Sequence, residues 1–198
     1  MTMKGDLAGI VGAEYASDDP ETLAGYARDY SFVTPRMPSC VVFPKNTEEV
    51  QAVVRYANER KIPVVPRSSG VSFYGAGIPS QGGIILHLRR MTRILEIDGR
   101  NKKVKVEPGV TWAQVQEELG KQGLMVSSPL LPHPQKSVLT SALEREPILV
   151  TKNEYSEVLL TAEMVLASGD LFWLGTAIAK GMKDQVFPDA LIPGTRLF

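Results

Sequence analysis

A single cysteine, Cys40, leaves this chain without the means to form an internal disulfide, so a reducing compartment is allowed. Charge of one sign is not in excess either. Lys and Arg number 22, Asp and Glu also 22, and the formal net charge is zero. With no basic surplus to neutralise phosphates, the electrostatic case for a nucleic-acid or acidic-membrane partner is removed. No apolar run approaches the length that spans a bilayer, and the N-terminal MTMKGDLAGIVGAEY has no signal-peptide pattern. A cytoplasmic protein, at most peripheral to a membrane, is expected. H-x-x-H, C-x-x-C and clustered carboxylates are missing too, so no metal site is expected.

What is present suits a folded protein. Of 198 residues, 43% are hydrophobic and 22% charged, enough to build a core in one domain or two small lobes. Residues 1–37 form a lead-in, with a helix start at Asp18-Asp19-Pro20 within 16–30 and a loop marked by Pro35 and Pro38. Cys40-Val41-Val42-Phe43 fits a buried strand. Asn46 caps a helix whose Val50, Val53, Val54 and Ala57 share one face, and Pro63-Val64-Val65-Pro66 returns as a strand. Strand, helix and strand at this spacing favour a parallel βαβ unit.

After residue 84 the alternation fails. Residues 94–97 and 104–106 flank the turn Asp98-Gly99-Arg100-Asn101, as in a hairpin. Thr111 and Gln114 form a capping box for a helix that buries Trp112, Val115 and Leu119 and stops near Gly123. Residues 158–166 and 171–174 read as another hairpin, with Trp173 in its core. The expected fold is α+β: a small βαβ lobe at 38–84 and a more antiparallel lobe at 85–198, and no doubly wound sheet.

The segment with chemistry runs from Arg67 to Gly77, three glycines and three serines in eleven positions directly after a strand. Glycines let a backbone approach a ligand, and successive N–H groups form an anion-binding nest. Ser68, Ser69 and Ser72 add hydroxyls. Neither G-x-x-x-x-G-K-[ST] nor G-x-G-x-x-G entering a long helix is present, which argues against a P-loop or a Rossmann site. Taken alone, the loop reads more readily as a flexible surface segment than as a ligand cradle.

Its neighbours add to it. The helix start Pro44-Lys45-Asn46-Thr47-Glu48-Glu49-Val50, the loop R-x-x-G-x-S-x-x-G, then G-G-I-I-L-x-L-x-R-M, I-L-E-I-D and V-E-P-G-V-T-W occur in order. Over about residues 38–170 the chain resembles the FAD-binding domain of the vanillyl-alcohol-oxidase/p-cresol-methylhydroxylase (PCMH-type) family, nearest its glycolate oxidase and D-lactate dehydrogenase branch. The resemblance implies FAD held at its pyrophosphate by Arg67, Ser68, Ser69, Gly70, Val71, Ser72 and Gly75, with Ala76 and Gly77 close by. A second contact region would be 129–140, including Pro129, His133 and Thr140, and backbone of the 158–165 strand would meet the adenine. No catalytic side chain is assigned, and the resemblance implies a separate substrate domain that is expected to be absent from these residues.

The chain also departs from that pattern. Where some members link FAD covalently through a histidine, Val71 stands, so non-covalent FAD is implied. Where a T-I-G-G segment is usual, Val138-Leu139-Thr140-Ser141 is found, with Thr140 or Ser141 as donors to the phosphates or flavin. The stretch 192–198 stops before the glycine-rich strand that would complete the flavin lobe, so the fold is read as C-terminally incomplete. His87, in an apolar strand, is read as structural, Glu144-Arg145-Glu146 as a solvated face, and Arg89, Arg90 and Arg93 as surface charges. The resemblance implies an FAD-dependent oxidoreductase of a CH–OH donor, a 2-hydroxy acid first and an aromatic alcohol or phenol second. The small-molecule substrate is met only in the complete enzyme. A non-catalytic FAD-binding subunit completed by a second subunit, and a degenerate interaction domain, stay open.

Overall fold

The computed structural model describes residues 2–126, 128–129, 133–146 and 159–175. Helix α1 (Met3–Val11) starts at Thr2, whose Oγ1 accepts the Gly5 N–H at 3.2 Å. After a 3-10 turn at Ala13–Tyr15 the chain forms the short strand β1 (Ala16–Ser17) and then α2 (Pro20–Tyr26). The helix expected within 16–30 is therefore shorter at both ends. Ala16 and Ser17 pair with Val42 and Val41, and Asp19, held extended before Pro20, caps the helix at the Thr22 N–H.

Strand β2 (Cys40–Val42), helix α3 (Thr47–Glu59), β3 (Val64–Arg67) and β4 (Ile84–His87) follow. They build a four-stranded sheet of order β1-β2-β4-β3, in which β4 runs parallel to both neighbours. The division expected after residue 84 thus cuts a strand of the first lobe. All four β4 residues are buried, and only the centre of a sheet covered on both faces buries them so completely. Cys40, Val42, Ile84 and Leu86 face α1 and α3, where Leu7, Val11, Val50, Val53 and Ala57 complete the core. Val41, Phe43 and Ile85 face the opposite way, onto Leu23 of α2. Burial pushes the Cys40 thiol up to about 11, so it packs as a small hydrophobe.

The second half is antiparallel and lighter. Strands β5 (Ile94–Asp98) and β6 (Lys103–Val106) form a hairpin with a register shift between Ile94 and Glu96. Helix α4 (Trp112–Gly120) carries the expected capping box and packs Val115 and Leu119 on Val110, Ile97 and Val106. The six-residue α5 (Val138–Leu143) comes next, then the hairpin β7 (Thr161–Val165) and β8 (Leu171–Gly175). Among the described residues the two hairpins are separate two-stranded sheets. The second docks on α3 of the first lobe: Gln51 Nε2 and Arg55 Nη2 donate to the Gly169 carbonyl at 2.7 and 3.0 Å, and Thr47 Oγ1 to Glu163 at 3.2 Å. Trp173, expected in a core, is 37% exposed with Nε1 on Glu163.

Arg89 and Arg93 are exposed, as expected, Arg90 is half-buried, and all three also brace the lobe. Arg89 lies 4.0 Å from the Phe43 ring centre, and Arg90 lies 3.3 Å from that of Tyr15 while donating to the Phe43 carbonyl. Arg93 clasps the buried Glu107 through Nε and Nη2.

The entry to β4 rests on one glycine. Gly83 has φ +83°, and a Cβ there would lie 2.2 Å from the Pro63 carbonyl oxygen, which accepts the Ile84 N–H. Gly83→Ala therefore combines left-handed strain with a backbone clash, and should destabilise the chain by about 3 kcal/mol. Denaturant unfolding checks this; a midpoint unchanged from wild type would refute it.

Candidate functional site

Strands β3 and β4 end side by side, with Arg67 registered opposite His87, and the loop 68–77 leaves from that edge. Beneath it lies a polar cluster of three residues. The Tyr26 hydroxyl bonds His87 Nδ1 at 2.9 Å, and the Arg67 guanidinium sits 5.3 Å from the Tyr26 ring centre. Arg67 and His87 are 7% and 5% exposed, and Arg67 Nε and His87 Nε2 have no partner among the described residues. Burial lowers the Arg67 guanidinium, and among the described residues no carboxylate pairs with it directly. Gly77 leaves the room this side chain needs: a Cβ there would come within 3.1 Å of Arg67 Nε.

The loop turns its hydroxyls inward. Ser69 Oγ accepts from the Ser137 and Val71 N–H groups at 3.1 and 3.4 Å. Ser68 Oγ shares a hydrogen bond with Thr140 Oγ1 on α5. The C-terminal half is fastened to the lead-in: the Gly75 N–H donates to Asp29 Oδ2 at 2.9 Å, and the Ser72 carbonyl accepts the Tyr30 N–H at 3.0 Å. Burial alone would raise the Asp29 carboxyl, but bonds from Ser31, Ser72 and Gly75 outweigh it and hold it below the usual carboxylate range. Gly75 has φ +78°, and a Cβ there would strike Val33 at 2.4 Å.

What remains without a partner is main chain. Among the described residues the N–H groups of Ser68, Ser69, Gly70 and Ser72 donate to no protein acceptor. At Gly70 a Cβ would meet nothing within 4 Å. Successive amides without a protein acceptor, an open glycine and a buried guanidinium whose Nε is unpartnered while Nη1 donates to the Tyr26 carbonyl at 3.5 Å fit an anionic group of diphosphate size.

The structure thus brings Arg67, Ser68, Ser69, Gly70, Val71, Ser72 and Thr140 together. Gly75 belongs to the loop, and its amide donates to Asp29, which ties the loop to the lead-in. Ser141, considered as a donor, is 3% exposed and accepts the Trp112 Nε1–H at 2.9 Å. Pro129 is buried, and His133 Nδ1 accepts the Gln135 N–H at 3.2 Å; among the described residues neither is tied to the loop. Residue 158, at the start of the strand expected at the adenine, lies outside the described residues. Sequence reading missed Tyr26, Asp29 and Trp112 as supports, because their partners lie 29 to 61 residues away. Two open clefts, each about 530–540 Å³, lie elsewhere: one between β5 and α4, the other beside Val33, Arg36 and the loop's far half at Gly75 and Ile78. No group of three or more His, Cys, Asp or Glu among the described residues is placed to hold a metal, and no helix there is long and apolar enough to cross a membrane.

A family model described as FAD binding domain matches residues 38–175. Glycolate oxidase subunit GlcD of Bacillus subtilis (strain 168) is 29% identical over 182 residues, covering 90% of this chain and 38% of that protein. The 4-cresol dehydrogenase (hydroxylating) flavoprotein subunit of Pseudomonas putida is 34% identical over 154 residues, covering 76% and 30%. The crystal structure of p-cresol methylhydroxylase with substrate bound superposes with a TM-score of 0.77 at 28% identity, covering 91% of this chain and 36% of that one. The chain spans less than two fifths of the length of each of these relatives.

His87 supplies a titration that reports on this region. Burial, then repulsion from Arg89 and Arg67, lowers its pKa from the ordinary 6.5 to about 4. The unfolded chain therefore binds the extra proton first, and stability present above pH 6.5 is lost as pH falls toward 4. The loss totals about 3 kcal/mol. Unfolding curves for wild type and His87→Gln across this window should show the slope shrinking in the variant; equal slopes would assign the acid sensitivity to other groups.

Proposed function

The chain belongs to the FAD binding domain family, and from that premise we propose that its 68–72 turn holds the diphosphate of FAD for an oxidoreductase acting on a CH–OH donor. The observation that carries this reading is the set of free amides at Ser68, Ser69, Gly70 and Ser72, open at Gly70 and backed by Arg67, whose Nε has no partner among the described residues. Bound flavin supplies the two-electron acceptor. The chain's own part is to grip and orient. Main-chain N–H groups meet phosphate oxygens, Arg67 lends positive charge from beneath, and the Ser68–Thr140 and Ser69–Ser137 bonds keep the turn from collapsing. Val71 has no nucleophilic atom, so attachment there is non-covalent. Pro129 and His133 stay candidates for contact beyond the diphosphate.

The substrate follows from the relatives. A 2-hydroxy acid is the first reading, supported by likeness to a glycolate oxidase subunit and to D-lactate dehydrogenases, including one from Archaeoglobus fulgidus. A phenol or aromatic alcohol is the second, supported by the resemblance to p-cresol methylhydroxylase. Substrate-positioning groups are assigned to parts of the enzyme beyond these residues, on the same chain or on a second subunit. Turnover of D-lactate or glycolate against p-cresol by the complete enzyme, with a dye as acceptor, separates the two.

The cradle itself is tested at Gly70. Gly70→Val places two methyl groups where the protein has no atoms, so stability should stay within about 0.5 kcal/mol of wild type. FAD affinity, read by flavin fluorescence, should fall at least tenfold, ~1.4 kcal/mol or more. A variant that binds FAD as wild type does would refute the assignment of this turn.

A further inference from the structure

Lys136 is the most completely buried charged side chain among the described residues, 1% exposed. Its ammonium is held between the carboxylates of Glu144 and Glu146 and lies 5.0 Å from the ring centre of Phe73, on the loop. The run expected at 144–146 as a solvated face is therefore largely covered, with Glu144 and Glu146 side chains 14% and 17% exposed. The partner eight and ten positions upstream gives no local pattern that a sequence would show. Arg145 between the carboxylates adopts φ +51°, a left-handed turn by which the chain doubles back after α5.

These groups bracket α5. Lys136 immediately precedes its N-cap, Ser137, while Glu144 is its C-cap and Glu146 lies two residues beyond. Six residues are too few for a helix to persist on its own hydrogen bonds. Yet this helix meets the loop at Thr140, its cap Ser137 does so at Ser69, and Ser141 anchors it to the Trp112 indole. The main chain of residue 136 is fixed as well, its N–H on the His133 carbonyl and its carbonyl accepting the Trp112 N–H. Burial alone would lower the Lys136 pKa, but its two carboxylate partners outweigh that and hold it above the ordinary lysine value, so the charge persists at neutral pH.

We propose that Lys136 is a positioning residue of the flavin site: by joining Glu144 and Glu146 across α5 and backing Phe73, it fixes the helix against which the 68–72 amides are registered. The inference rests on the reading of that turn as the diphosphate cradle. Lys136 touches neither cofactor nor substrate. It acts through α5, and its loss frees Thr140 and Ser137 to drift from Ser68 and Ser69.

Two readouts on the full chain test it, one of which needs no flavin. In a Ser68→Cys, Thr140→Cys background, oxidation to the disulfide followed by mass reports how often loop and helix meet. Lys136→Met should slow closure and weaken FAD binding, each by about tenfold, at temperatures well below melting, and Lys136→Arg should restore both. A lower melting temperature with wild-type closure and wild-type FAD affinity would reduce Lys136 to a stability element and overturn the inference, leaving the cradle intact. Wild-type protein that binds no FAD would instead overturn the cradle reading and this inference with it. Should Lys136→Met not fold, Glu146→Gln, which keeps one ion pair, takes its place: slower closure and weaker FAD binding support the role, and wild-type values of both overturn it.

Discussion

Everything at the site depends on how the 68–72 turn satisfies its polar groups. A serine- and glycine-rich loop in water has no reason to keep one shape, since its hydroxyls compete with its amides for every acceptor. Here the competition is decided from outside. Thr140 takes the Ser68 hydroxyl, and the Ser137 amide occupies Ser69. The Ser68 and Ser69 hydroxyls are engaged by α5 and its cap, and the amides of Ser68, Ser69, Gly70 and Ser72 are left without a protein acceptor among the described residues. Pre-organisation of this kind matters because a ligand then binds without the entropic cost of ordering the loop.

That arrangement needs two lobes. The turn begins at the end of a buried parallel sheet, while its restraints come from α5, which packs beside α4 in the antiparallel half. Neither half could shape the turn alone. The β7–β8 hairpin adds a further cross-tie, with Gly169 receiving two donors from α3. The lead-in contributes as well: Asp29 seizes Gly75, so the loop's far end is closed by a segment that precedes the sheet.

Much of this was legible in the chain. The caps at Asn46 and Thr111, the turn at Asp98-Gly99-Arg100-Asn101, and the stripe of Val50, Val53 and Ala57 are local signals whose physics is complete within a few residues. The position of β4 was not legible, because an apolar run of four reads the same at the edge or the centre of a sheet. Only pairing with both β2 and β3 settles it. The site divides along the same line. The loop announces itself by composition, while Tyr26, Asp29 and Lys136 act through partners far along the chain, and no period or spacing marks them. The bond from the Gly75 amide to Asp29 was not legible either, since a left-handed glycine looks the same from sequence whatever its amide meets.

The departure at Ser141 has a cause in this geometry. The family resemblance implies paired glycines where this chain carries Thr140-Ser141, a change that looks at first like a loss of access. Yet Trp112 is 3% exposed, and its indole N–H finds its acceptor in Ser141 Oγ. A glycine at 141 would leave that N–H buried and unpaired, at a cost of about 1–3 kcal/mol. Thr140, one residue earlier, places its hydroxyl on Ser68. The two side chains therefore point to different tasks, one holding α5 to α4 and the other holding α5 to the loop. Both hydroxyls are thus engaged within the protein's own framework, Ser141 by Trp112 and Thr140 by Ser68.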